Sequence, residues 1–124
     1  MNDKRRSPCP VACVLDLLGD RWTLLVVRDL ACGKTLFKEF CASPEKIATN
    51  ILTERLQRLV QAGLVEKFTP AEVSGREAYR LTAKGRTLLP ILGRIADWGL
   101  ANIRGTQARM KPVLKEGLTD IAAK

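Results

Sequence analysis

The chain has 124 residues, 46% of them hydrophobic and 27% charged, with a net charge of +8 and no histidine. These proportions fit one folded domain with its own core and argue against intrinsic disorder. No apolar run approaches membrane-spanning length, and the absence of histidine removes Ser-His and Cys-His nucleophile pairs and every histidine-ligated metal site.

The basic excess points to a polyanionic partner, nucleic acid before an anionic membrane. Lys4, Arg5 and Arg6 precede an apolar stretch that is broken at Asp16 and again at Gly19-Asp20-Arg21, which is not the layout of a signal peptide. A cytoplasmic, nucleoid-associated location is therefore expected, with no membrane partner. Cys9, Cys13, Cys32 and Cys41 are spaced without a CxxC pair. Structural disulfides do not suit a cytoplasmic protein, and this spacing does not suit a four-thiolate zinc site. No phosphate-binding glycine loop or paired-acid motif stands out, so neither metal nor cofactor is expected, nor is an enzyme.

Residues 1–10 are charged and Pro-bounded and read as an arm. Residues 11–18 are apolar at helical spacing, with Val14, Leu15 and Leu18 to one side and Gly19 as the stop. Asp20 caps a second helix whose stripe is Trp22, Leu25, Val26 and Leu30, with Trp22 in the core and Gly33 as terminator. Thr35 is expected to cap a third, short helix that buries Leu36, Phe37 and Phe40. Ser43-Pro44 follows as a break or a new start.

The stretch from Ile47 to Val65 is the most informative. Leu52, Leu56, Leu59 and Val60 share one helical face; Asn50, Thr53, Glu54, Gln57 and Gln61 share the opposite one, and Gly63 ends the helix. Residues 65–69 then read as a strand, Ser74-Gly75 as a turn, and residues 77–81 as a second strand that places Tyr79 and Leu81 on one face. Thr82 is expected to cap a long last helix reaching about Arg104, kinked or interrupted at Pro90. Its apolar residues wrap past one stripe, so a second side is covered by another subunit. Residues 105–124 form a basic tail.

Helices followed by a β-hairpin give a mainly α fold, a winged helix-turn-helix over residues 11–104. The helix before the hairpin reads and the hairpin is the wing. A major groove admits one α-helix, whose exposed side must carry donor–acceptor groups. Asn50 and Gln57 suit adenine, and Thr53 suits several base edges or a thymine methyl. Asn50 and Thr53 lie near the helix start, the end that enters the groove in helix-turn-helix proteins. Glu54 is expected to pair with Arg58 one turn on. Arg76 at the hairpin tip suits the minor groove or a phosphate, and Lys34, Lys38 and Arg55 suit phosphates.

Several segments in order carry a family pattern: Cys9-Pro10, LLGDRWTLLVVRDL at 17–30, FKEF at 37–40, ILTERLQRL at 51–59, AGLV at 62–65, YRLTAKG at 79–85 and IADW at 95–98. The chain resembles the HxlR family of winged-helix transcription regulators, relatives of the MarR-like group. The resemblance implies a homodimer joined through its N- and C-terminal helices, with two reading helices in successive major grooves of a near-palindromic operator. It also implies that Thr49, Asn50, Thr53 and Arg55 lie at the surface of double-stranded DNA. In some members a cysteine just before the first helix senses oxidants; Cys9 stands there, beside Arg5 and Arg6, whereas Cys13, Cys32 and Cys41 fall on apolar faces. An oxidant or a small molecule between helices is left open as effector. Position 48 is Ala where a capping serine is common, and Ser43-Pro44-Glu45 offers an earlier start for the reading helix. The competing reading is a winged-helix protein-interaction module without a DNA site, against which the basic charge and the polar helix face count.

Overall fold

The structure, a computed structural model, describes residues 5–71, 76–108 and 112–114. Its order is α1 (Pro10–Leu18), α2 (Thr23–Ala31), α3 (Phe37–Cys41), α4 (Thr49–Gln61), β1 (Val65–Phe68), β2 (Ala78–Leu81), α5 (Ala83–Arg86) and α6 (Leu89–Asn102). The strands are antiparallel, with Val65 opposite Leu81 and Phe68 opposite Ala78. Leu36 adds a bridge to Ala78, and the Tyr79 N–H donates to the Thr35 carbonyl at 2.9 Å, so the chain before α3 forms a third, minimal strand.

The core is aliphatic. Val26, Val27 and Leu30 of α2 meet Phe40 of α3 and Leu52, Leu56 and Leu59 of α4, with Val65 and Leu81 closing it from the wing. Phe40 meets Tyr79 edge to face at 6.5 Å, the arrangement that ring quadrupoles favour.

Two glycines end helices as expected. Gly33 (φ 96°) and Gly63 (φ 77°) adopt the left-handed conformation, which side chains disfavour. The following N–H groups of Lys34 and Leu64 then donate back to the carbonyls of Asp29 and Leu59, each at 3.0 Å. Both ends are Schellman motifs, so the carbonyls left over at the helix ends are satisfied. Gly19 instead ends α1 in the right-handed region, at φ −83°.

Several expectations are corrected. Thr35 does not cap α3; Leu36 is the N-cap residue, and the Glu39 carboxylate reaches back to the N–H groups of Thr35 and Leu36 at 2.8 and 2.9 Å. Those bonds hold Glu39 below its ordinary pKa. Trp22 is half-buried rather than in the core, because the α2 stripe turns Thr23, Val26, Val27 and Leu30 inward. The first strand stops at Phe68. The expected long last helix is two helices. Thr82 caps only α5, accepting from the Gly85 N–H at 3.0 Å while donating to the Gly63 carbonyl at 2.6 Å. The chain turns at Thr87-Leu88, and Pro90 sits in the first turn of α6, where a missing N–H does no harm. Gly85 is needed at this turn, since a Cβ there would lie 2.0 Å from the Leu64 carbonyl oxygen. The tail is also not wholly detached. The N–H groups of Val113 and Leu114 donate to the Ala31 carbonyl at 2.8 and 3.1 Å, and Leu114 packs on the core.

Asp20 fastens α4 to α2. Its carboxylate accepts from the N–H groups of Trp22 and Thr23 at 3.0 and 3.1 Å and from the Thr23 hydroxyl, so it holds the turn that leads into α2, whose N-cap residue is Trp22 and not Asp20 as expected. It also accepts from Arg55 Nε at 2.8 Å and lies 3.6 Å from Arg58 Nη1, both on α4. Partial burial pushes this carboxyl up, but the hydrogen bonds from Arg55, Thr23 and the Trp22 N–H outweigh burial and leave it well below the carboxylate range. A depressed carboxyl contributes stability that is complete above its unfolded pKa and is lost as pH falls through the folded value. Thermal melts of the wild type should therefore show stability falling below about pH 5, and Asp20→Asn should be less stable at neutral pH with a shallower acid decline. Asp20→Ala should lose about 2 kcal/mol at neutral pH through the bonds to the Trp22 and Thr23 N–H groups and the charged hydrogen bond to Arg55 together. Equal acid slopes for wild type and Asp20→Asn would reject the assignment.

Candidate nucleic-acid interface

Helix α4 divides as its sequence period requires. Leu52, Leu56 and Leu59 are fully buried, while Thr49, Asn50, Thr53, Glu54, Gln57 and Gln61 are exposed. The helix begins at Thr49, with Ala48 as a cap residue that offers no side-chain acceptor and with no acid in the first turn. The later of the two possible starts is thus the observed one. Its first N–H groups and the positive end of its dipole suit an anion such as a DNA phosphate. The Thr53 hydroxyl donates to the Thr49 carbonyl at 2.9 Å. That leaves its oxygen and methyl outward, an acceptor and an apolar contact for a base edge.

The expected phosphate-contacting residues fall into two groups. Lys38 and Arg76 are exposed and line one groove with Leu36, Phe37 and Glu77, so the short helix and the tip side of the wing present their charges together. The Ser74-Gly75 turn lies outside the described residues. Lys34 and Arg55 are engaged inside the protein. Lys34 Nζ donates to the buried Ser43 hydroxyl at 2.7 Å, and Arg55 holds Asp20 and Glu54. Glu54 does meet Arg58 at 3.5 Å, as expected, but its tighter partner is Arg55. On the wing, Arg80 donates to Glu66 at 2.8 Å and lies over the Phe68 ring at 4.4 Å. Such a stacked guanidinium stiffens the hairpin.

Sequence reasoning missed a polar cluster beside the turn before α4. Asp29, 3% exposed, accepts from Arg28 and from the Ser43 hydroxyl, and Arg28 makes two bonds of 2.8 Å to Glu45. Burial of an aspartate in a stripe of aliphatic residues was the available signal, since such a group needs partners.

All four cysteines are free thiols. Cys9 is exposed at the cap position of α1, where its N–H donates to Ser7 Oγ at 3.0 Å. Arg6, expected beside it, pairs with Asp16 at 2.6 Å. Cys32 is half-buried, and burial, followed by the Asp29 charge, pushes its thiol up, away from thiolate chemistry. Among the described residues no group of side chains could hold a metal ion, and no helix is long and apolar enough to cross a membrane.

Residues 17–107 match the HxlR-like helix-turn-helix family. The HTH-type transcriptional regulator YdeP of Bacillus subtilis (strain 168) is 35% identical over 91 residues, 73% of this chain and 71% of YdeP. The crystal structure of PA1607 superposes with a TM-score of 0.75 at 39% identity, covering 89% of this chain and 82% of that one. The redox regulator HypR in its reduced form superposes with a TM-score of 0.69 at 32% identity, covering 77% and 95% of the two chains. The matched span takes in the half-buried reading helix, its wing and the helix that holds both, and the chain belongs to the HxlR-like helix-turn-helix family of transcriptional regulators.

Proposed function

We propose that two copies of this chain together read a near-palindromic DNA operator, acting as a binding protein and not as an enzyme, in the cytoplasm on the nucleoid. The observation that carries this reading is the exposed face of α4, where Thr49, Asn50, Thr53 and Gln57 stand clear of the core on an uncapped helix start. Asn50, Thr53 and Gln57 address base edges; Thr49 and the first-turn N–H groups address a phosphate. Lys38 and Arg76 supply further phosphate contacts on the wing side. Lys34 and Arg55, engaged with Ser43 and Asp20, hold the frame in which the others act.

The second copy is motivated by the surface. Val11, Val14 and Leu15 of α1 and Ile91, Ile95, Trp98 and Leu100 of α6 are exposed, Trp98 to 64% and Val11 to 65%. Large apolar side chains gathered on two helices mark an interaction surface, and an isologous pairing of the terminal helices would bury them. Cys9 lies at the start of α1, beside that surface. The structural neighbour HypR is named a redox regulator; oxidation of Cys9 is proposed to alter DNA binding here through the same helix, with a small-molecule effector as the alternative input.

Three measurements test this. In fluorescence anisotropy against duplexes enriched from a random pool, the wild type should prefer enriched over random DNA by about a thousandfold. Asn50→Ala and Thr53→Ala should each lose about tenfold or more of that preference. Lys38→Ala should weaken all duplexes alike and reduce the salt dependence by about one unit of slope. Equal affinity of the wild type for both pools would reject the operator reading. In sedimentation velocity the wild type should run as a dimer and Ile95→Glu/Trp98→Glu as a folded monomer; a monomeric wild type at micromolar concentration would reject the pairing. Mild peroxide treatment should change enriched-DNA affinity in the wild type and not in Cys9→Ser, and an equal response in both would remove Cys9 as the sensor.

A further inference from the structure

The turn between α3 and α4 has to aim the reading helix, yet it carries few local constraints. It runs from Ala42 to Ala48, and Lys46 within it stands at φ 58°, the one non-glycine among the described residues in the left-handed region. A side chain in that conformation persists only where its surroundings enforce it. The backbone anchors the two ends of the turn, with the Ser43 N–H donating to the Phe40 carbonyl at 3.1 Å and the Ala48 carbonyl accepting from the Leu52 N–H at 2.9 Å, and closes its middle with a bond from the Lys46 N–H to the Ser43 carbonyl at 3.0 Å. Ala48 contributes no cap. The α4 start is therefore set by groups outside the turn.

Those groups come from the C-terminal end of α2 and the residues just after it. Arg28 meets Glu45 through two parallel hydrogen bonds, Nη1 to Oε2 and Nη2 to Oε1, each 2.8 Å. A two-point contact between planar groups fixes orientation as well as distance. The next residue, Asp29, accepts from the Ser43 hydroxyl, which in turn accepts from Lys34 Nζ at 2.7 Å. Ser43 and Glu45 of the turn are thereby fastened to the α2 side. The hydrogen bonds from Arg28 hold the Glu45 carboxyl below its ordinary value. From Glu45 to Asn50 is five residues of chain, so any rotation of the turn is passed to Thr49 and Asn50.

We propose that Arg28 and Glu45 are positioning residues for DNA reading: their paired contact sets the direction in which α4 leaves the turn, and through it the placement of Asn50 and Thr53, without either residue touching a base. This rests on the operator reading above. It differs from a surface ion pair, which contributes little, because it acts on specificity and not chiefly on stability.

The test measures affinity for the best duplex enriched by the wild type and for random duplex, together with thermal stability, for Glu45→Gln, Arg28→Lys and the double variant. Glu45→Gln should lose about tenfold in affinity for the enriched duplex, while its random-DNA affinity is unchanged or raised, since a negative charge is removed, and its melting temperature moves by a few degrees at most. Arg28→Lys keeps the charge but not the paired N–H groups and should lose preference to a similar extent. The double variant should match the single ones, as expected of two residues acting as a unit. Unchanged preference in Glu45→Gln, or affinity rising equally for both duplexes, would overturn the proposal. So would an Arg28→Lys protein that keeps full preference, which would make the charge alone sufficient. If the wild type enriches no duplex at all, the operator reading fails first, and that outcome is distinct from the others.

Discussion

The carboxylate of Asp20 joins two helices of the fold. It satisfies the first N–H groups of α2, and it holds Arg55 in the middle of α4 at 2.8 Å. Aliphatic packing is non-directional, so Leu52, Leu56 and Leu59 determine that one side of α4 is buried but fix its rotation only loosely. A hydrogen-bonded ion pair has an angle as well as a distance. The Asp20–Arg55 pair therefore settles which residues of α4 face away from the core. At the far end of α2, Arg28 and Asp29 take hold of the turn that leads into the same helix. The segment from Asp20 to Asp29 thus holds α4 and its leading turn at two separated points, and burial of Asp29 without these partners would be costly.

The distribution of charge follows from this division of labour. Of the cations first read as phosphate ligands, Lys34 and Arg55 are drawn inward to Ser43 and Asp20, while Lys38 and Arg76 stay exposed by one groove. A net charge of +8 gives long-range attraction to a polyanion, but it does not say which side chains deliver it. The apolar residues show a similar split. Those of α2, α3 and α4 fill one core, whereas those of α1 and α6 are left largely outside it. For a transcriptional regulator, that pairing of a polar reading face with an apolar outer face is the physical basis for proposing a dimer on DNA.

Much of this was legible in the chain. The 3.6-residue period of Leu52, Leu56 and Leu59, with amides and hydroxyls opposite, set apart α4 as a helix with one buried and one polar face. Gly33 and Gly63 announced helix ends, because left-handed backbone is easy only for glycine. Thr82 was visible as a cap from its type and place, though not that its helix would be so short. Less legible was the division of the last helix, since α5 ends where Gly85 must pass close to the Leu64 carbonyl, a contact between segments far apart in sequence. The third, minimal strand at Leu36 was equally hidden, because its partner Ala78 lies across the wing.

Legible in the chain alone were local preferences: which segments favour a helix, which face of each is apolar, which glycines end a helix, and that the whole carries excess positive charge. Each of these depends on a residue and its near neighbours. Only the tertiary structure decided the assignments of individual charges. Arg55 meets Asp20 across 35 positions of chain, and Arg28 meets Glu45 across 17. Such pairs form because packing of the aliphatic stripes brings their helices together, and no periodicity records which partners that packing will select. For the same reason the sequence placed Asn50 and Thr53 on the polar face of their helix, whereas the ion pairs that join that helix and its leading turn to the α2 side became visible only when α2 and α4 stood side by side.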